Sequence, residues 1–382
     1  MERSQRTLFE SGGQMNFFDV KDYSNAKKIL VIPNITNSKN LEKDSFVDVI
    51  YNHIKGLEKY GDYFWHIILP DNVKKLNLDN VKQHLAPISG DMINMRVAFP
   101  KEIISLMNRL DYDAVYSHLP DWFMVARYTD KKIVGYTHWW EMKTCNAEDR
   151  KNRALNLPAE ILGVLKMDTC FLNTQDQKNR VIDEARLIFN DEIIKQLETK
   201  LQVWNLGVRA DKIVSKPLEQ KEKIIVFNHR AAAYKGYPQF VDLMKEYRER
   251  RTDFRVWVPQ LVEQPEYSWI DNIKVDKSEY YSKLQQCTVG VQMRQTNYGW
   301  SVAATDCMMN GTPMIFQDSL CYHEVDPDGL FFKYKKDLFS MLDSMLDDET
   351  FRKQHELRSL QRAHGLSLNE DKMIQTLHNL LK

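Results

Sequence analysis

The sequence predicts an α/β protein built of two Rossmann-like domains that face each other across a central cleft, with a helical C-terminal end. Three observations predict it. Short β-branched and apolar runs alternate with longer segments of helical period through most of the chain. The alternation lapses at a polar, lysine-rich stretch, Ala210 to Lys223 with Pro217 inside it, and then begins again. The chain has 382 residues, enough for two domains that each bury a core.

The first strand expected is Lys28–Pro33 (KILVIP). A helix follows over Leu41–Tyr60, where Phe46, Val49, Ile50, His53, Ile54 and Leu57 recur at helical spacing and Gly61 ends the run. Trp65–Leu69, Ala114–Ser117, Ile133–Thr137 and Thr169–Asn173 read as further strands, the last leading into a helix near Asp176. After the linker, strands are expected at Lys223–Phe227, Phe254–Val258, Thr288–Gln292 and Pro313–Phe316, and the stretch from Lys335 to Lys382 reads as helix alone. The expected division is 1–207, 208–362, and a helix over 363–382 packing back towards the first domain. Ligands of such sheets gather at the carboxyl ends of the strands.

Composition narrows the function. There are 53 basic and 53 acidic side chains, so a globally basic nucleic-acid coat protein and a polyanionic tail are excluded. No run approaches the length of an apolar spanning helix, and the N-terminus MERSQRTLFESGGQMNFF lacks the apolar core of a secretory signal. Cys145, Cys170, Cys287, Cys307 and Cys321 are odd in number and far apart, with no CxxC pair or Cys/His ligand spacing. A cytoplasmic chain with no metal site is expected, with Cys170 and Cys287 as core thiols.

Two stretches carry chemistry. In Ile224–Phe240, IIVFNHRAAAYKGYPQF, a strand ends at Phe227 and Asn228, Arg230 and Lys235 sit in the following loop. Two cations over the edge of a parallel strand suit a diphosphate, Arg as a fork and Lys as a point charge; the alternative is a pair of solvated loop cations. Gly236 permits a close turn and Pro238 suits a first helical turn. In Asn297–Asp318, Gly299 precedes Trp300, Ser301 and Val302, and a helix from Ser301 to Met309 closes with Asn310-Gly311 before the next strand. Its N-terminal amides form an anion site, and Asp306 is placed to hold a ribose diol; the alternative is a glycine turn and an amphipathic helix with a surface aspartate.

In order and separation these stretches resemble the donor domain of GT-B glycosyltransferases of the retaining, glycogen-synthase-like group. That group has an Arg and a Lys-Gly after a strand, then Glu-Gly-Phe-Gly, a second glutamate after a seven-residue gap, and Gly-Thr-Pro. Here Arg230 and Lys235-Gly236 match the first part, Tyr298-Gly299-Trp300-Ser301 stands for the second, Asp306 for the second glutamate, and Gly311-Thr312-Pro313 for the close. Glu324 falls where the group often carries a glutamate after a glycine-rich turn. The chain departs from the pattern at Tyr298, at the shortened Asp306, and at Pro33-Asn34-Ile35-Thr36-Asn37, which lacks the usual glycine-rich turn. The segment Arg230-x-x-x-Tyr234-Lys235-Gly236-Tyr237-x-Gln239 is also similar to the phosphate-binding segment of the T-even phage DNA α-glucosyltransferases, which modify 5-hydroxymethylcytosine.

The resemblance implies a UDP-sugar donor, UDP-glucose or a relative, with no obligatory cofactor and magnesium at most a stimulant. It places the acceptor site in the first domain and implies that His138, after the strand Ile133–Thr137, faces the reacting sugar. Trp139 and Trp140 could stack on a sugar or an extruded base, with Glu141 a weak acceptor contact; core and rim packing is the alternative for both tryptophans. The favoured acceptor partner is a hydroxymethylated pyrimidine of phage DNA, flipped from the stack. A bacterial surface glycan or glycolipid is the runner-up, and a UDP-sugar-binding protein or epimerase the non-transferase alternative. Residues 209–255 carry 12 basic against 7 acidic groups, with the densest cluster at Lys245–Arg255, and residues 301–350 carry 3 against 10. Charge therefore permits DNA without requiring it.

Overall fold

The computed structural model describes residues 23–33, 45–70, 78–86, 101–118, 129–137, 158–261, 265–272, 275, 277–295 and 299–382. His138, Trp139, Trp140, Glu141, Tyr298 and Cys145 lie outside the described residues.

Two parallel sheets form the framework. The first holds β1 (Lys27–Ile32), β2 (Tyr63–Pro70), β3 (Val81–Ala86), β4 (Ala114–Ser117), β5 (Lys132–Thr137), β6 (Thr169–Leu172) and β7 (Leu201–Val203), in the order β3-β2-β1-β4-β5-β6-β7. The second holds β8 (Glu222–Val226), β9 (Arg255–Trp257), β10 (Ile270–Asp271), β11 (Cys287–Gln292), β12 (Met314–Gln317) and β13 (Leu330–Phe332), in the order β10-β9-β8-β11-β12-β13. Every paired strand runs parallel. Strand order therefore reverses between β1 and β4 and again between β8 and β11. Such reversals open a crevice at the carboxyl ends of the strands.

Central strands covered on both faces need unbroken apolar runs. β4 is buried throughout and so is β11. The expected central strands agree with the structure to within a residue or two. β3, β7, β10 and β13 were not anticipated. β3 and β10 are sheet edges, and β3 (VKQHLA) has only half-buried or exposed side chains where described.

The helices α1 (Ser45–Leu57), α2 (Lys101–Arg109), α3 (Gln175–Ala185) and α4 (Asp191–Lys200) belong to the first half of the chain, with a further helix over 158–166. α5 (Tyr237–Arg250), α6 (Lys277–Gln286), α7 (Val302–Met309), α8 (Leu320–Val325), α9 (Lys335–Asp347) and α10 (Glu349–Leu381) belong to the second. Their starts follow capping chemistry. The Thr174 hydroxyl accepts from Gln177 N at 3.0 Å ahead of α3, and Asn190 accepts from Ile193 N at 3.1 Å ahead of α4. At 33 residues, α10 is about 50 Å long. It packs on α7 and α9 and then on α1, so one helix touches both halves.

One apolar cluster runs from Ile29, Val31 and Trp65 through Trp204 and Leu206 to Val226, Trp257 and the α10 residues Leu366 and Ile374. It joins the two sheets, while separate clusters fill the far side of each. Cys170, Cys287, Cys307 and Cys321 are all buried. Burial raises the thiols, to about 12 for Cys287 and about 11 for Cys321. Alkylation of these four cysteines with iodoacetamide should therefore follow global unfolding, reaching completion in denaturant and staying near zero in the native protein, as read by intact mass.

Candidate donor site at the switch point of the second sheet

β8 (EKIIV) ends against Phe227, whose amide still bonds to Trp257 O at 2.9 Å. The chain then leaves the sheet through Asn228, His229 and Arg230, makes a short 3-10 turn over Ala233–Lys235, and enters α5. Gly236 is required at the junction for two reasons. Its φ is +76°, and a Cβ there would lie 2.6 Å from Met293 Cβ. The same close approach presses Lys235 against the loop that leaves β11.

Lys235 Nζ donates to Gln295 Oε1 at 2.5 Å. Burial, together with the Arg230 guanidinium, pushes the Lys235 ammonium down to about 8. Arg230 is exposed. Beneath them, His229 Nε2 lies 2.5 Å from Gln292 Oε1, which also accepts from Ser301 Oγ at 2.8 Å. An amide oxygen only accepts, so the His229 proton sits on Nε2. Burial and the nearby Lys235 push His229 down to about 3, leaving it neutral. Gln292 Nε2 donates to Tyr322 OH at 3.0 Å, and Tyr322 OH donates to Met293 O at 2.7 Å.

Ser301 is the N-cap of α7, accepting from Ala304 N at 3.2 Å. The opening amides of a helix lack intrahelical acceptors, and Ser301 at their head shares Gln292 Oε1 with His229 of the loop after β8. Gly299, Trp300 and Ser301 are buried, and Val302 is partly exposed at the rim. Asp306 lies one turn into α7 and accepts from Tyr280 OH at 3.1 Å, while Asn228 Nδ2 donates to Tyr280 OH at 2.7 Å and to Ala303 O at 2.8 Å. Asn228 was expected to touch the ligand. Its amide instead bonds internally, fixing α7 and Tyr280 to the end of β8.

Val302, Thr305 and Asp306 also line a cavity of about 80 Å³ between the two halves, opposite Asn52 and His53 of α1 and beside Glu370 of α10. The structure thus brings Asn228, Arg230, Lys235, Gly236, Gly299, Trp300, Ser301, Val302 and Asp306 to one switch point. His229, Gln292, Gln295, Tyr280 and Tyr322 were missed. Gln292 was legible as a polar residue closing an apolar strand; Tyr280 and Tyr322 had no local signal. Glu324 accepts from the Gln175 and Asp176 amides of α3 at 2.7 and 2.9 Å, so it contacts the first half of the chain.

On the first sheet, β5 ends at Thr137, immediately before the segment outside the described residues. Among the described residues, no group of three or more His, Cys, Asp or Glu side chains is placed to hold a metal, and no helix is long and apolar enough to cross a membrane. The basic cluster near Arg251 is internally balanced: Arg251 pairs with Asp253 at 2.7 Å and Asp347 at 2.6 Å, and Lys223 with the same two at 2.7 and 2.9 Å.

No family model matches the chain, and no curated protein matches its sequence. Its architecture nevertheless coincides with solved structures. Sucrose-phosphate synthase from Thermosynechococcus elongatus superposes with a TM-score of 0.68 at 11% identity, covering 92% of this chain and 99% of that one. Anabaena HepE in complex with UDP and glucose gives 0.64 at 9% identity over 92% and 99%. An α,α-trehalose 6-phosphate synthase from Burkholderia multivorans gives 0.64 at 12% identity over 93% and 98%. The chain has the GT-B fold: two Rossmann-like α/β units.

Arg230→Ala and Lys235→Ala should each weaken UDP binding by about 1.5–3 kcal/mol in calorimetry, the worth of a charge-assisted bond. UDP affinity should also fall as pH rises above about 8, where Lys235 loses its proton, approaching tenfold per pH unit. Lys235→Gln should flatten that part of the profile.

Proposed function

We propose that the protein is a glycosyltransferase that takes a sugar from a UDP-sugar, UDP-glucose or a close relative, and delivers it to a hydroxyl acceptor. The observation that carries this reading is the convergence of Arg230, Lys235 and the opening amides of α7 at the β8/β11 reversal. Two cations and a helix N-terminus on one crevice answer the charge of a diphosphate. HepE has been solved with UDP and glucose, and trehalose-6-phosphate synthase has been studied for glycosyl transfer with retention. The first supports the donor class and the second the retained configuration.

In the mechanism proposed, Arg230, Lys235 and the Ser301–Val302 amides stabilise negative charge as the bond from the sugar C1 to the diphosphate breaks. The acceptor oxygen bonds to C1 on the same face, and its proton passes to the leaving phosphate oxygen. The products are UDP and the glycosylated acceptor, with retained configuration. Asp306 orients the ribose, held in place by Tyr280. The resemblance assigns His138 to the reacting sugar, Trp139, Trp140 and Glu141 to the acceptor and Tyr298 to the donor, all five outside the described residues. Closure of the cleft excludes water and suppresses donor hydrolysis. Magnesium is at most a stimulant, so turnover should survive chelation by EDTA.

The resemblance of Arg230–Gln239 to the phosphate-binding segment of the T-even phage DNA α-glucosyltransferases suggests a 5-hydroxymethylpyrimidine of DNA as acceptor. A glycan hydroxyl is the second reading, favoured by the balanced charges around Arg251, which leave that cluster little net attraction for phosphates. Intact-mass analysis of 5-hydroxymethylcytosine and 5-hydroxymethyluracil oligonucleotides, incubated with a panel of UDP-sugars, separates the two. The DNA reading predicts a hexose or N-acetylhexosamine gain on modified oligonucleotides alone. Gain on sugar acceptors and none on DNA supports the glycan reading, and UDP-sugar binding without transfer to any acceptor contradicts the transferase.

A further inference from the structure

The connection between the two sheets is held by carboxylates that the proposed transfer chemistry does not use. After β7 the chain runs through Trp204, Asn205, Leu206 and Gly207 towards the second sheet. Trp204 Nε1 donates to Glu370 Oε2 at 2.8 Å, and Gly207 N donates to the same oxygen at 3.2 Å. Asn205 Nδ2 donates to Asn173 O at 2.9 Å and to Glu324 Oε2 at 3.2 Å. Neighbouring residues of one short connector are thus fastened to different carboxylates, both supplied by the second half of the chain.

Each carboxylate also reaches a helix of the first half. Glu324 takes two opening amides of α3, a favourable place for negative charge. Glu370 Oε1 stands 3.6 Å from His53 Nε2 of α1, and His53 Nδ1 lies 2.7 Å from Tyr116 OH. The carriers are joined as well: Arg362 of α10 donates to Glu324 O and Val325 O, each at 2.7 Å. α8 and α10 are therefore tied together. Gly207 lies so close to α10 that a Cβ would fall 2.3 Å from Glu370 Cβ and 2.7 Å from Leu366 O. The connector and the crossing helix meet at this point, beside the cavity that holds Asp306.

We propose that Glu324 and Glu370 together clamp the connection between the two halves and set the opening of the cleft, which makes them positioning residues for transfer. The clamp rests on the transferase reading only for its effect on turnover; its effect on geometry stands apart. Burial pushes Glu370 up to about 7, while the hydrogen bonds from Trp204 and Gly207 favour its charged form.

The test is the distribution of distances between spin labels at Lys195→Cys and Glu249→Cys, one on an exposed face of each half, together with UDP affinity and turnover. Glu370→Leu and Glu324→Ala should each broaden the distribution and lower kcat at least about tenfold, as small misplacements do. UDP affinity of Glu324→Ala should stay within about twofold, because Arg230, Lys235 and α7 follow strands of the second sheet, whereas Glu370 lines the cavity of Asp306. Glu370→Gln, which keeps an acceptor oxygen, should restore the narrow distribution and most of kcat. Should Glu370→Leu not fold, Trp204→Phe removes one donor alone and should broaden the distribution in the same sense. A distribution as narrow as the parent's in Glu324→Ala and in Glu370→Leu or Trp204→Phe overturns the clamp, whatever turnover does. Broadening in variants of a protein that transfers no sugar supports the clamp and overturns the transferase reading instead.

Discussion

The candidate donor site depends on the side chain of Gln292, the last residue of β11. It is fully buried, and its amide has a partner for each of its roles: oxygen to His229 and Ser301, nitrogen to Tyr322 and the Met293 carbonyl. Those partners come from the loop after β8, the cap of α7, α8 and the loop after β11. An amide satisfied in this way specifies a single arrangement, because any other leaves a buried polar group unpaired. Ser301 can then cap α7 in one orientation, and His229 is kept neutral beneath a lysine. A protonated imidazole there would repel the Lys235 ammonium. The crevice consequently presents its cations above and no competing charge below.

Lys235 is the point of tension in this arrangement. Its ammonium is half-buried beside a guanidinium, and among the described residues it donates to the Gln295 amide. Among the described residues no carboxylate pairs with it, and a half-buried cation so placed is costly. A diphosphate is the kind of ligand that would relieve the cost, and the nearby amides of α7 contribute in the same direction. Lys221 offers a contrast: it is also buried, yet it donates to the Cys287 and Gly311 carbonyls and lies 3.7 Å from Glu356. One lysine is closed off by the protein, while the other is left facing the crevice.

Much of the fold was legible because parallel strands buried on both faces must be continuous apolar runs, and Lys28–Pro33, Ala114–Ser117 and Thr288–Gln292 are such runs. β3 was illegible for the same reason: at a sheet edge, Val81–Ala86 can be polar and exposed. In the site, Lys235-Gly236 was readable because the positive φ and the Met293 contact leave no other residue at that position. The role of Asn228 was not. Whether an amide at a strand end meets a ligand or a neighbouring tyrosine is decided by Tyr280, which stands 52 residues away. The same holds for Glu324, whose partners in α3 are separated from it by most of the second sheet. Its position in the motif was readable, but its direction depends on how the halves sit together.

The central claim is that the β8/β11 crevice binds a nucleoside diphosphate through Arg230, Lys235 and the first turn of α7. The most direct measurement is a crystal structure of the protein grown with UDP. A diphosphate is expected within hydrogen-bond distance of Lys235 Nζ, the Arg230 guanidinium and the Ser301 or Val302 amide, with the ribose hydroxyls on Asp306. A diphosphate ordered elsewhere on the protein, with Lys235 still on Gln295 and Asp306 still on Tyr280, would contradict it.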